Sequence, residues 1–316
     1  MREIGRLGYG AANVGNLYRA ITDEEAWEIL DAAWECGIRY FDTAPHYGLG
    51  LSESRLGAFL STKPRAEFTV STKVGRLLRP DAGGAGRLDD EHDFAVPADL
   101  KRVWDFTAEG VRCSLEESLE RLGLDSVDIV YLHDPERFDL RRGLDDGLPA
   151  LAKLRDEGLV RAIGVGSMST EALHTAASSG ILDLLMVAGR FTLADQSAAE
   201  TVIPECRARD VRVVAAAVFN SGLLASTSPS AASRFDYAPV RPKLLDRVGR
   251  IADICSDYGV PLPVAAVQYP LHEPSVLSVV VGAATPDQLR QNVANFEVDI
   301  PTELWGRLRD EGLVAL

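Results

Sequence analysis

Four side chains of different chemistry stand at comparable points of the chain. Asp42 follows the apolar run Ile38 to Phe41, and Tyr47 comes five residues later in the loop Asp-Thr-Ala-Pro-His-Tyr-Gly. Lys73 closes the run that starts at Phe68, and His133 closes the run from Val127 to Leu132. Each has an ordinary explanation alone: Asp42 caps a helix, Tyr47 covers a core edge, a strand-final lysine is a solvated cation, and a histidine before Asp-Pro shapes a turn. Three adjacent runs ending in Asp, Lys and His beside a loop tyrosine are harder to ascribe to chance. The chemistry that fits is proton transfer coupled to hydride transfer. A phenol, with a pKa near 10, is a poor acid or base at neutral pH unless it is tuned. An adjacent ammonium favours the phenolate, a carboxylate keeps that ammonium charged, and an imidazole orients the substrate oxygen.

Such a set works only if the runs are buried strands that end at one mouth. Strand-like and helix-like segments alternate along the whole sequence. Apolar runs lie at residues 4–9, 38–41, 68–71, 127–132, 162–165, 181–187, 211–218 and 276–281. Amphipathic segments separate them, the first opening as a capping box at Thr22-Asp23-Glu24-Glu25 and closing at Gly37. Eight such runs predict a single-domain α/β fold over residues 1–316, a parallel sheet closed as a (β/α)8 TIM barrel with its chemistry at the carboxyl ends of the strands. An open dinucleotide-binding sheet requires a three-glycine fingerprint after the first strand. Gly8-Tyr9-Gly10-Ala11-Ala12-Asn13 lacks the third glycine and opens a loop. Residues 76–106 break the alternation: rich in Gly, Asp and Pro, they read as a long loop insertion, either a lid or binding loop or a disordered segment, with Trp104 and Phe106 anchoring its end.

The totals narrow the class. The 316 residues carry 33 basic and 47 acidic side chains, a formal charge of −14, which disfavours nucleic acid or an anionic membrane as a general partner. Four cysteines lie far apart and five histidines are scattered, so neither a disulfide framework nor a metal site is expected. The polar opening of the chain is unlike a signal peptide and no apolar run approaches a membrane span, which leads us to expect a soluble, cytoplasmic protein. A serine-hydrolase elbow, G-x-S-x-G, is absent.

The motifs together resemble a known family. F-D-T-A-P-H-Y-G (41–48), S-T-K-V-G (71–75), V-D-I-V-Y-L-H-D (127–134), R-A-I-G-V-G (161–166) and V-V-V-G-A-A-T-P-D-Q-L-R-Q-N (279–292) are similar to the aldo-keto reductase superfamily, in its order and over nearly the whole chain. The resemblance implies a barrel that binds NAD or NADP at its carboxyl-terminal mouth. It implies that Tyr47 is the general acid/base, that Lys73 and Asp42 tune it, and that His133 orients the substrate oxygen. K-V-G-R-L-L-R-P (73–80), Y-L-H-D-P-E (131–136), V-A-G-R-F-T-L-A-D-Q (187–196) and A-V-F-N-S-G-L-L-A (217–225) are similar to the branch containing aldose 1-dehydrogenases of the L-fucose or D-threo-aldose type and pyridoxal 4-dehydrogenase. That branch oxidises a cyclic hemiacetal carbon to a lactone.

Several positions depart from the family pattern. The Ser-Asn pair that grips the nicotinamide amide is Gly166-Ser167 here, the glutamine after the sixth strand is Ala188, and the stacking tyrosine after the seventh is Ala216. Ser167 and Phe219 are therefore the expected nicotinamide contacts, with Asp42 near the ring. Asn220, Ser221, Gly222 and Leu223 are expected to meet the pyrophosphate through backbone N–H groups. Gly282, Ala283 and Thr285 belong to the turn after the eighth strand, where NADP-preferring relatives carry a cation for the 2′-phosphate; Gln288 stands where an arginine often does, and Gln291 and Asn292 are expected at the adenine. With no cation in that turn, NAD is expected over NADP, although Arg290 could restore NADP binding. Substrate contacts are expected from His46, Tyr47, His133 and Trp104, on a sugar or aldehyde. A general aldehyde or ketone reductase and a non-catalytic nucleotide sensor are the other readings; neither substrate identity nor oligomeric state is encoded legibly.

Overall fold

The computed structural model describes residues 4–315. Eight strands form a closed, all-parallel barrel: β1 (Leu7–Gly10), β2 (Tyr40–Asp42), β3 (Thr69–Val74), β4 (Ile129–His133), β5 (Ala162–Ser167), β6 (Leu184–Ala188), β7 (Arg212–Ala216) and β8 (Val276–Val281), with β8 returning to pair β1. Around them lie α1 (Asp23–Glu35), α2 (Leu51–Leu60), α3 (Ala108–Leu122), α4 (Leu148–Asp156), α5 (Thr170–Ser178), α6 (Val202–Arg209), α7 (Pro242–Asp257), α8 (Leu262–Gln268), α9 (Pro286–Glu297) and α10 (Thr302–Asp310). The capping box read at Thr22 is present: its hydroxyl accepts from the Glu25 amide at 3.2 Å, and the Glu25 carboxylate accepts from the Thr22 amide at 2.8 Å. It fixes where α1 begins and hence how β2 enters the barrel.

Side chains alternate along each strand, so every second residue faces the barrel axis. Tyr40, Tyr131, Ile129, Leu184, Met186 and Val214 fill the interior as a small core distinct from the larger one between strands and helices. The two tyrosines need space, and glycines opposite supply it. A Cβ on Gly8 would stand 2.6 Å from the Tyr40 ring, and one on Gly164 2.9 Å from that of Tyr131. The same alternation carried to the strand ends makes Asp42, Lys73 and His133 the last inward residues of β2, β3 and β4.

Residues 76–106 correct one expectation. They are not a structureless loop. Arg76–Pro80 pairs antiparallel with Leu100–Trp104, and Leu88–Asp89 with Phe94–Pro97. The partners Arg76 and Trp104 are too far apart in sequence for a hairpin signal to link them. Leu78, Phe94 and Val96 of this extension share an apolar cluster with Leu49, against which Tyr47 and Leu17 pack. The extension therefore rests on the tyrosine-bearing loop at the barrel mouth. A third antiparallel pair, Arg234–Phe235 with Ala238–Pro239, falls where the sequence suggested no element.

Candidate active site

Asp42, Lys73 and Tyr47 come together at the carboxyl ends of β2 and β3. The Lys73 ammonium donates to Asp42 Oδ2 at 2.6 Å, to the Thr43 carbonyl at 3.0 Å and to the Tyr47 hydroxyl at 3.1 Å. Lys73 and Asp42 are 2% and 3% exposed, so both charges need the other to be tolerable. The second Asp42 oxygen accepts from Ser71 Oγ at 2.6 Å, and Ser71 continues to Tyr40 and then Tyr131 inside the barrel. Asp42 is thus held from below by hydroxyls and directs Lys73 upward to Tyr47. Burial opposes the Lys73 charge, but Asp42 and Tyr47 outweigh it and hold the ammonium above the ordinary lysine range. For Tyr47 burial is the largest influence and raises the phenol above its usual value despite the pull of Lys73. The tyrosine is proton-loaded in this state, whereas the residue types alone suggested a net lowering.

His133 ends β4 beside this group. Its ring lies edge-on to Tyr47 with centroids 6.0 Å apart, and edge-on to His46 at 5.6 Å. Burial, then Arg76 and Lys73, push its pKa well below the ordinary histidine value, so the imidazole is neutral and can donate or accept one hydrogen bond. His46 is likewise pushed down, by burial and by Arg76 and Arg102. Asp134 adopts φ +44°, an unusual conformation for a non-glycine residue, and accepts from Arg76 at 2.6 Å. Trp104 does not join the tetrad. It stacks on Phe138 with ring centroids 5.8 Å apart, carries the Arg76 guanidinium over its face at 4.3 Å, and lines a polar compartment under the extension with Arg102, His92 and Arg137.

A cleft runs from these residues across the other half of the mouth. Asp42, Tyr47, Lys73, His133 and Ser167 line its inner part. Phe219, Asn220, Ser221, Gly222 and Gly282 line its outer part, a cavity of about 480 Å³. Asn220, Ser221 and Gly222 have φ of +44°, +55° and +93°, but the amides of Asn220 and Gly222 donate to the carbonyls of Ala217 and Phe219 at 2.9 and 3.1 Å, so these two N–H groups expected at the pyrophosphate are spent inside the turn. The Arg234–Pro239 hairpin lies over it: Asp236 pairs with Arg190 at 2.7 Å, and the Tyr237 amide donates to Ser221 Oγ at 3.0 Å. Tyr18, Ala217, Asp236 and Tyr237, also on this cleft, share the left-handed backbone region. The Ser221 hydroxyl and the Arg234 guanidinium on this cavity are the groups suited to a dinucleotide phosphate.

The remaining expected contacts divide. Leu223 is a buried core residue and its amide donates to the Asn220 carbonyl at 3.2 Å. Ala283 is buried and its carbonyl accepts from Tyr9. Thr285 caps α9, Gln288 accepts from the Ala284 amide, Gln291 donates to Asn295 and Asn292 to the Gly282 carbonyl. Arg290 is engaged with Asp287 and Glu35. Sequence reasoning missed Arg19, which reaches the same turn from the loop after β1, donating to the Ala284 carbonyl at 3.2 Å and pairing with Glu25. It also missed Met168, Arg234, Asp236 and Tyr237. Among the described residues no cluster of three or more metal-ligating side chains occurs, and no helix is long and apolar enough to cross a membrane.

Comparison with known proteins agrees with this geometry. The family model described as "Aldo/keto reductase family" matches residues 6–310. The chain is similar to a D-threo-aldose 1-dehydrogenase of a Pseudomonas species, 56% identical over 312 residues, covering 98% of this chain and 95% of the relative. It is similar to a pyridoxal 4-dehydrogenase of Microbacterium luteolum, 38% identical over 328 residues, covering 98% and 94%. Among solved structures, a glycerol dehydrogenase of Gluconobacter oxydans superposes with a TM-score of 0.77 at 23% identity, covering 96% of this chain and 90% of the other. With its parallel barrel, its polar strand ends and these matches together, the chain belongs to the aldo/keto reductase family and is an NAD(P)-dependent oxidoreductase.

Proposed function

We propose that the protein oxidises the C1 hemiacetal of an aldose to the corresponding lactone, with Tyr47 as general base and NAD as the preferred cofactor. The observation that carries this reading is the continuous Asp42–Lys73–Tyr47 hydrogen-bond chain at the base of a cleft suited to a dinucleotide. A nicotinamide held in this cleft would supply the acceptor for the C1 hydride. Lys73 draws the resting phenol toward its base form, and Tyr47 then takes the proton of the C1 hydroxyl. Neutral His133 donates to the substrate oxygen and fixes it relative to Tyr47. One C–H and one O–H bond break and a C1=O double bond forms, giving lactone, reduced cofactor and one proton. Catalysis of this kind contributes about a hundred- to ten-thousand-fold.

A polyhydroxylated substrate is supported by the polar groups around the Tyr47 loop. Arg76 and Arg102 line the polar compartment under the extension beside Trp104, and the expected contact His46 is packed edge-on to His133 at 5.6 Å. The similarity to the Pseudomonas aldose dehydrogenase favours the same class. The similarity to pyridoxal 4-dehydrogenase supports a second reading, because pyridoxal also presents a cyclic hemiacetal. NAD preference is supported by the Gly282-Ala283-Ala284-Thr285 turn, which carries no cation of its own; Arg19, which donates to the Ala284 carbonyl, is held by Glu25 only through an exposed pair at 3.3 Å. An uncompensated charge-assisted phosphate contact is worth about 1.5–3 kcal/mol, or roughly ten- to hundred-fold in affinity.

Parallel assays of reduced-cofactor formation with L-fucose, D-arabinose and pyridoxal, each with NAD+ and NADP+, test the reading, with the product identified by mass. A sugar lactone formed with the higher kcat/KM on NAD+ is expected. Turnover of pyridoxal alone would replace the substrate assignment, and an equal or higher kcat/KM with NADP+ would overturn the cofactor preference.

A further inference from the structure

The Arg234–Pro239 hairpin carries a residue that its own backbone disfavours. Phe235 pairs with Ala238, so the loop between them is Asp236 and Tyr237, with φ of +50° and +65°. A two-residue hairpin of this kind passes twice through the left-handed region. Its second position ordinarily holds glycine, because a Cβ there crowds the following carbonyl. Tyr237 stands in that position, a strained arrangement of the sort that clusters at ligand clamps. The side chain does nothing evident to offset the strain. It is 52% exposed, and among the described residues its hydroxyl has no hydrogen-bond partner and its ring stacks on no other. The backbone around it is held instead. The Tyr237 amide donates to Ser221 Oγ at 3.0 Å, and Asp236 accepts from Arg190 at 2.7 Å. Of the hairpin residues, Arg234 and Asp236 line the outer cavity alone, whereas Tyr237 also lines the inner one, beside Tyr47, His133 and Asp134. Half-burial raises its phenol above the ordinary value, and Tyr18, Tyr47 and Asp134 add to the rise, so these groups stand within electrostatic reach of the hydroxyl.

We propose that Tyr237 is a substrate-binding residue that selects a cyclic polyol: its accessible hydroxyl bonds a sugar hydroxyl remote from C1, and its ring covers the sugar while C1 lies at Tyr47. The assignment rests on the aldose reading above and deepens it. A phenol suits the task because it joins an apolar face to a tip that both donates and accepts. The barrel wall leaves that work to the hairpin, since Met186, Ala188 and Ala216 offer the inner cavity no polar side chain. Tyr237 takes no part in proton transfer, which the Asp42–Lys73–Tyr47 chain provides. On this view the strained turn is kept because it aims the phenol into the catalytic cavity.

The test uses Tyr237→Gly, which suits the turn better than the native residue, and Tyr237→Phe, which removes only the hydroxyl. Steady-state kinetics with L-fucose, or with pyridoxal if that is what the wild type turns over, is combined with the NAD+ Kd and the melting temperature. In Tyr237→Gly, KM is expected to rise at least about tenfold with kcat within about twofold, as when a contact made equally in ground and transition states is lost. The NAD+ Kd is expected to stay within about twofold. The melting temperature should be equal or higher, because glycine relieves the left-handed backbone. In Tyr237→Phe, KM should rise about two- to tenfold, the worth of one neutral hydrogen bond. An unmoved KM in either variant, or an NAD+ Kd that weakens as much as KM rises, would overturn the assignment. So would a lowered melting temperature in Tyr237→Gly, because the side chain would then serve the fold. A wild type that oxidises neither sugar nor pyridoxal would remove the aldose reading and this assignment with it, whereas an active wild type with unmoved variants removes the assignment alone.

Discussion

The two halves of the barrel mouth are built on opposite plans. Over β2, β3 and β4 the inward strand ends are Asp42, Lys73 and His133, buried, charged or titratable, with Asp42 and Lys73 tied into one hydrogen-bonded group. Over β5, β6 and β7 the corresponding positions are Gly166, Ala188 and Ala216, which leave space. Polar character there comes from Ser167, held by Glu136, from Ser221, and from a hairpin latched by Asp236 and Arg190. The difference separates two tasks. Proton transfer needs titratable side chains held rigidly in low dielectric. Holding a long cofactor needs room, which the small residues at these strand ends leave.

Damage to the two halves should therefore register differently. Lys73→Met acts on the first half. It leaves Tyr47 without its cation and Asp42 with only Ser71, so kcat should fall about a hundred- to ten-thousand-fold, and stability by about 3 kcal/mol, as when one partner of a buried ion pair is lost. Steady-state kinetics and urea unfolding measure the two effects. A variant with wild-type turnover would end the claim that this half carries the chemistry.

The pH profile sharpens the same point without a mutation. In the proposed oxidation the Tyr47 phenolate is the base, and burial sets the phenol pKa above the ordinary value. The base form is then scarce at neutral pH, and kcat/KM for oxidation should rise about tenfold per pH unit through the neutral and mildly alkaline range. Reduction, which needs the proton-loaded form, should be flat there and fall only at higher pH. An oxidation profile that stays flat over roughly pH 6 to 9 would show that a different group limits the reaction.

The second half should respond more mildly and in binding. Asn220 is buried in a left-handed conformation, accepts from Thr192 at 2.6 Å and donates to the Gly189 carbonyl at 3.1 Å. Asn220→Ala should cost about 1–3 kcal/mol of local order, raise the cofactor Kd by roughly tenfold and leave kcat at saturation within about twofold. A large kcat loss with unchanged Kd would erase the contrast between the halves.

The two plans also explain what could be read from the sequence. Asp42, Lys73 and His133 announce themselves because a polar residue ending an apolar run is uncommon, and period-two alternation brings all three to the barrel axis. Gly166, Ala188 and Ala216 carry no such mark, since small residues at strand ends have many causes. The pairing of Arg76–Pro80 with Leu100–Trp104 was illegible because it is set by packing on Leu49 and Tyr47 across a long stretch of chain. Arg19 reaches the Ala284 turn from the opposite end of the sequence, and Glu136 meets Ser167 from the neighbouring strand's loop; neither spacing has a local signature. The direction of the Tyr47 shift was missed for a quantitative reason: residue types announce a lysine beside a phenol but not how deeply both are buried.

The central claim is that one hydroxyl, that of Tyr47, moves the proton. Single-turnover formation of reduced cofactor by Tyr47→Phe, with the dinucleotide Kd measured on the same preparation, tests it most directly. The account predicts an unchanged Kd and a chemical step slowed at least about a thousandfold, since the phenol acts in the transition state alone. A near-wild-type rate in that variant would contradict it.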